Sequence, residues 1–132
     1  MKVFYFGKDG GPESNVSGFW LVEIKRWFSI ALLRFDHGSR EAFHSHAFNS
    51  VSWLIKGCLV EQHLNDNIND YHPSFWPILT RRFTFHRVFS FNTSWVLTFR
   101  GPWAKNWQEF NPKTQELSTL TNGRVIVDVR PS

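Results

Sequence analysis

The sequence predicts an all-β domain, a sandwich or small barrel of short strands, on three observations. Aromatic residues make up 17% of the 132, with 14 Phe and 7 Trp, and rings and β-branched side chains suit a pleated surface better than a helix. Turn-forming residues recur along the whole chain and leave runs of four to ten residues between them, the rhythm of a compact β fold. No window holds a sustained 3.6-residue apolar period flanked by caps.

The elements follow in order. Residues 3–6 are an apolar run that Lys8-Asp9 ends. Gly10-Gly11-Pro12 is turn chemistry, and residues 10–17 are expected to be loose. Strands are expected over 19–23 and 28–35, with at most one helical turn at 25–28 between them. After Asp36-His37-Gly38, strands are expected at 50–55 and 58–64, on either side of Lys56-Gly57. Residues 65–77 form a long loop, polar at first and then rich in Pro and rings, able to fold over a barrel mouth. Strands follow at 83–89 and 95–100, separated by Asn92-Thr93, and residues 103–110 are the second place where a helical turn fits. Asn122-Gly123 is a two-residue hairpin turn leading into a last strand at 124–129, and 130–132 are expected to be loose.

Composition bounds the function. One domain spanning 1–132 is expected, long enough for a real core. Fifteen Lys and Arg against eleven Asp and Glu give a net charge of +4, with no basic run of five or more. That balance permits a small anionic ligand but does not by itself point to nucleic acid, and no nucleic-acid partner is expected. The single cysteine, Cys58, excludes an internal disulfide and is expected to be a small buried residue. The opening apolar run is too short for a signal peptide's core, and no stretch reaches the length of a membrane span, so no membrane partner and a cytoplasmic location are expected. Neither a Gly-rich phosphate loop, nor Gly-x-Ser-x-Gly, nor a Cys-x-x-Cys pair occurs.

The chemistry concentrates between Gly38 and Gly57. His44 and His46 stand one residue apart, and alternate residues of a strand share a face, so the two imidazoles project together. Gly38, five residues, His44-x-His46 and then Gly57 resemble the first motif of the cupin superfamily, over 38–57. Ser50 stands where that motif has its metal-binding Glu. A second motif, over 79–90, would centre on His86, with Arg81-Arg82-Phe83 in place of the usual Pro-x-Gly. The resemblance covers roughly 28–110 and implies a double-stranded antiparallel β-barrel of jelly-roll type, in which His44, His46 and His86 hold a divalent transition metal. Imidazole suits Fe(II), Zn, Ni, Cu or Mn.

The three-His set resembles the thiol dioxygenase branch of cupins, which implies Fe(II) and an oxygenase acting on a small anionic substrate. Two departures bear on the substrate: the Cys of that branch is replaced at Ser50, and its Tyr falls at Phe99. The chain is also similar in style to small cupin-like proteins of bacteriophages. The resemblance further implies a possible homodimer. The alternatives are a non-oxidative isomerase or lyase, and a non-catalytic module that binds a small ligand or a protein.

Other residues enter as candidates beside the histidines. Glu61 is a metal ligand, a partner for a histidine N–H, or an exposed strand charge. In a continuous strand Arg82 shares a face with His86, placing a guanidinium at the mouth as a clamp for a carboxylate or phosphate, or else as a solvated strand end. Arg34 is a second candidate for that clamp. Trp53, Trp95, Trp103, Trp107, Phe48 and Phe99 are core filling or the lining of an apolar pocket. His37, His63 and His72 are expected at the surface or in ordinary hydrogen bonds.

Overall fold

The computed structural model describes residues 2–9, 14–39, 43–121 and 125–131. Every regular element among them is a β-strand: β1 (Lys2–Lys8), β2 (Val16–Ile24), β3 (Phe28–Phe35), β4 (Phe43–His44), β5 (Ser50–Lys56), β6 (Leu59–His63), β7 (Ile68–Tyr71), β8 (Ile78–Thr80), β9 (His86–Ser90), β10 (Ser94–Arg100), β11 (Asn106–Asn111), β12 (Glu116–Thr121) and β13 (Val125–Pro131). They form two antiparallel sheets in jelly-roll fashion, one in the order β1-β2-β3-β10-β5-β8 and the other β13-β12-β11-β4-β9-β6-β7. Among the described residues, hydrogen bonding does not close the sheets into one continuous barrel. No helix among the described residues is long and apolar enough to cross a membrane.

The core lies where the inward faces of the two sheets meet. Ser29, Ala31 and Leu33 of β3 are buried while Ile30, Leu32 and Arg34 are half-exposed, the period-two pattern of a strand with one covered face. On β10 the buried set is Ser94, Val96, Thr98 and Arg100. Register places Val96 beside Leu33 on one side and Leu54 of β5 on the other. Leu59 of β6 joins that cluster from the opposite sheet, with Tyr71 and Val88 packed against it.

Several expectations change. Residues 103–110 form no helical turn: β11 runs from Asn106 and is held on both flanks, by β12 and by β4, so ladder pairing sets its conformation. Residues 25–27 make only a tight turn, closed by Trp27 N–H donating to the Ile24 carbonyl at 2.8 Å. The long loop contains β7 and leads into β8, each paired in its sheet. The strand expected from 83 begins at His86, because a turn closed by Thr84 N–H on the Arg81 carbonyl precedes it. Ser14, Val16 and Ser17 are buried rather than loose, and Arg130 and Pro131 belong to β13. The Asn122-Gly123 turn lies outside the described residues, although β12 and β13 on either side of it pair antiparallel.

Both motif glycines have a left-handed backbone, φ 112° at Gly38 and 98° at Gly57, which side chains with a Cβ rarely adopt. They differ in room. Nothing lies near a Cβ built at Gly38, whereas one at Gly57 falls 2.7 Å from Ser94 Cα and 2.3 Å from its hydroxyl. Gly57→Ala is therefore expected to cost on the order of 3 kcal/mol, strain and overpacking together, and Gly38→Ala about 1 kcal/mol from strain alone. Denaturant unfolding of the two variants checks the order; equal losses would refute the contribution of Ser94.

Candidate metal centre and cavity

Three strands bring the histidines together. β4 is only two residues long, yet it is paired on both sides, His44 standing opposite Glu109 of β11 and opposite His86 of β9. Beyond it the chain stays tied down: Ser45 N–H donates to the Gln108 carbonyl at 2.9 Å, and Gln108 N–H donates back to Ser45 Oγ at 2.9 Å. Phe43, Ser45 and Ala47 are buried while His44 and His46 are half-exposed, so alternation continues past the end of the strand. It leaves both imidazoles on one side. The rings of His44, His46 and His86 stand 4.8, 4.9 and 5.0 Å apart by pairs, and one nitrogen from each lies within 4.8 Å of the others.

Glu61 sets the direction of one ring. Its carboxylate accepts from His86 Nδ1 on one oxygen. On the other it accepts from the Tyr71 hydroxyl at 2.8 Å and from His63 Nε2 at 3.1 Å. Burial works to raise the Glu61 pKa, but the hydrogen bond and charge of His86, with help from Tyr71 and His63, hold it at about 2 against an ordinary 4.5. The Tyr71 phenol is pushed up, first by burial and then by its bond to that carboxylate. A carboxylate only accepts, so His86 Nδ1 is the donor to Glu61, which leaves its Nε2 facing His46 Nε2, 2.9 Å away.

That spacing suits a metal. Two imidazole nitrogens about 2.1 Å from one ion and at right angles lie about 3.0 Å apart. Three converging imidazoles, one of them oriented by a carboxylate, are a donor set for Fe(II), Zn or Ni, with positions left for further ligands.

The cluster forms part of the wall of a cavity of about 460 Å³, a size that takes a small organic molecule. Trp20, Phe48, Trp103 and Trp107 supply rings to this wall, and Arg100, Lys25, Asp9, Glu23 and Glu109 supply charges. Phe48 packs on His46 at 5.2 Å and on Trp103 at 5.2 Å, making one aromatic surface from the histidines outward.

The two expected clamps are elsewhere. Arg34 has the outward parity of β3 and pairs with Asp36 at 3.3 Å, away from the cavity wall. Arg82 lies in the turn before β9, so the strand parity that would align it with His86 does not reach it. Its guanidinium covers the exposed ring of Phe83 at 4.6 Å, and it too is absent from the wall. Trp53, Trp95 and Phe99 also stand outside, with Trp53 and Phe99 edge to face at 5.7 Å. Cys58 is half-exposed rather than buried, 3.5 Å from His72 Nδ1. Sequence reasoning missed Arg100 and Trp20. The signal for Arg100 was the alternation Val96-x-Thr98-x-Arg100, which gives it the parity of the core.

No family model matches the sequence, and no curated protein matches it either. Solved structures do match. A sugar phosphate isomerase from the cupin superfamily of Silicibacter pomeroyi is 10% identical, with 100% of this chain and 93% of that one covered at a TM-score of 0.65. KdgF from Halomonas sp. is 12% identical over 72% of this chain and 85% of that one, TM-score 0.56. An RmlC-like cupin from Shewanella frigidimarina is 14% identical over 72% and 81%, TM-score 0.56. At such identities the likeness is one of architecture, and with the two sheets and the three histidines already in place it is specific: the chain has the fold of the cupin superfamily.

Proposed function

We propose that this chain is a small metal-dependent enzyme that holds one divalent transition metal on His44, His46 and His86 and acts on a small anionic substrate in the adjoining cavity. The convergence of the three imidazoles carries the reading. Fe(II) is the metal favoured by resemblance to the thiol dioxygenase branch, with Zn, Ni and Mn as alternatives, and the first reaction class is oxygenation. When bound, such a metal supplies open positions for O₂ and a chelating substrate. The chain's own residues do the rest. Glu61 fixes the ring and tautomer of His86, and Trp20, Phe48, Trp103 and Trp107 exclude water from the reacting end.

A non-oxidative isomerase or lyase is the second reading. It is favoured by the likeness, along the whole chain, to a protein described as a sugar phosphate isomerase. It also has the carboxylates Glu23 and Glu109 in the wall, groups suited to moving a substrate proton. The proposal includes a cytoplasmic protein assembled as a homodimer, which light scattering would report as twice the monomer mass.

Oxygen uptake by Fe(II)-loaded protein, over a panel of small thiols, carboxylates and sugar phosphates, separates the readings. Uptake that disappears in His86→Ala is the expected result. Metal-dependent isomerisation without uptake would move the assignment to the second reading, and silence in both assays with iron bound would leave a ligand-binding module.

A further inference from the structure

The wall of the cavity contains buried donors that no described residue satisfies. Arg100, the last residue of β10, has a side chain only 5% exposed. Its Nη1 and Nη2 donate to the two carboxylate oxygens of Asp9, at 3.3 and 2.6 Å. Its Nε is buried without a hydrogen-bond partner among the described residues, and so are the indole nitrogens of Trp20 and Trp103. All three residues line the cavity. Each of these groups donates and none accepts, so the missing partner is a group rich in acceptors. A guanidinium has five N–H donors in a fixed fork, and Asp9 takes one end of it, leaving Nε–H and its neighbour for an oxyanion.

Place decides what kind of molecule this is. The guanidinium lies 4.6 Å from the centre of the Phe48 ring, and that ring lies 5.2 Å from His46. One phenyl ring therefore separates the donors from the histidine cluster, a span that a small organic molecule covers.

We propose that Arg100, with the indole N–H groups of Trp20 and Trp103, is the anion receptor of this cavity, taking the carboxylate or phosphate end of a small organic substrate whose other end reaches the histidines. This rests on reading the cavity as the substrate site. Asp9 is then a competitor as well as a support: it holds the guanidinium in place while offsetting its charge. The two residues therefore have opposite effects on affinity, which a merely structural ion pair does not produce.

The test is a fluorescence titration, since three tryptophans line the cavity. Glucose 6-phosphate and gluconate present the two oxyanions on similar bodies, inorganic phosphate presents the anion alone, and glucose is the neutral control. Saturable quenching by at least one of the two organic anions and none by glucose is expected, and their order tells phosphate from carboxylate. Arg100→Gln should weaken that binding about tenfold or more, the worth of a charge-assisted hydrogen bond. Asp9→Asn keeps a hydrogen-bonding side chain, removes the competing charge and should tighten it. Thermal unfolding shows whether each variant is folded, and Arg100→Lys replaces Arg100→Gln if that one is not. No saturable quenching by either organic anion, equal binding of glucose, wild-type affinity in the folded Arg100 variant, or weakening by Asp9→Asn would each overturn the proposal. His86→Ala titrated without metal separates it from the functional reading: anion binding kept there, with metal binding lost, shows the receptor standing apart from the metal.

Discussion

His86→Ala is expected to reduce affinity for a divalent metal by well over 100-fold and to lower the bound metal to a small fraction of one equivalent. The reason is that His86 contributes twice. Its Nε2 is one of the three converging donors, and its ring is gripped by the buried Glu61 carboxylate through Nδ1. Loss of an outer partner alone typically costs about 10–100-fold in metal affinity, so loss of the donor itself costs more. The substitution also leaves the buried Glu61 carboxylate without its main partner, although Tyr71 and His63 still donate to it. A loss of stability is therefore expected beside the loss of metal. His44→Ala and His46→Ala remove a donor but leave the Glu61–His86 contact in place, so they should lose metal comparably while unfolding at higher denaturant than His86→Ala. Chelator competition and denaturant unfolding of the three variants measure both quantities. Equal stability of all three would contradict the part assigned to Glu61.

Glu61→Gln is the second large effect. Glutamine keeps an acceptor for His86 Nδ1–H but loses the charge, so metal affinity should fall about 10–100-fold with the three donors intact. The variant should also change how stability depends on pH. With its folded pKa depressed to about 2 from an ordinary 4.5, the Glu61 carboxyl takes up a proton more readily in the unfolded chain. Its contribution to the metal-free protein is therefore fully present above about pH 4.5 and is lost as the pH falls toward 2. Wild type should lose stability steeply across that window and Glu61→Gln less so. Unfolding free energies measured at intervals from neutral pH to the acid range check it, and parallel curves for the two proteins would refute it.

Much of the architecture was legible because the signals for it are local. The alternation of 28–35 and 95–100 marks strands whose inner face is now seen to include Ala31, Leu33, Val96 and Thr98. The two glycines that frame the histidines occupy left-handed positions, a requirement that the residue type itself announces. What was not legible depends on pairing. β7, with the sequence Ile-Asn-Asp-Tyr and mostly exposed, has no strand pattern and forms by lying beside β6. β11 reads equally well as a turn until β4 and β12 hold it.

The site divides in the same way. His44 and His46 are neighbours in sequence and His86 sits in a recognisable strand, so their convergence could be anticipated. Glu61 was in view, but its hydrogen bonds with His63 and Tyr71 depend on the β6–β7–β9 register. Arg82 was aligned with His86 by extending a strand through residues that form a turn, whereas Arg100, which the sequence reading missed, has the parity of Val96 and Thr98 on β10. Its carboxylate partner, Asp9, is 91 residues away in the chain, a separation that leaves no local trace.

X-ray absorption at the bound metal, on protein stripped and reloaded with Fe(II) or Zn(II), tests the central claim most directly. Three imidazole nitrogens at about 2.0–2.2 Å, with oxygen completing the shell, are the expected coordination for one equivalent of metal, and two or fewer in each single His→Ala variant. Failure to bind any equivalent, or a shell containing sulfur from Cys58 or lacking imidazole, would contradict a metal centre on His44, His46 and His86.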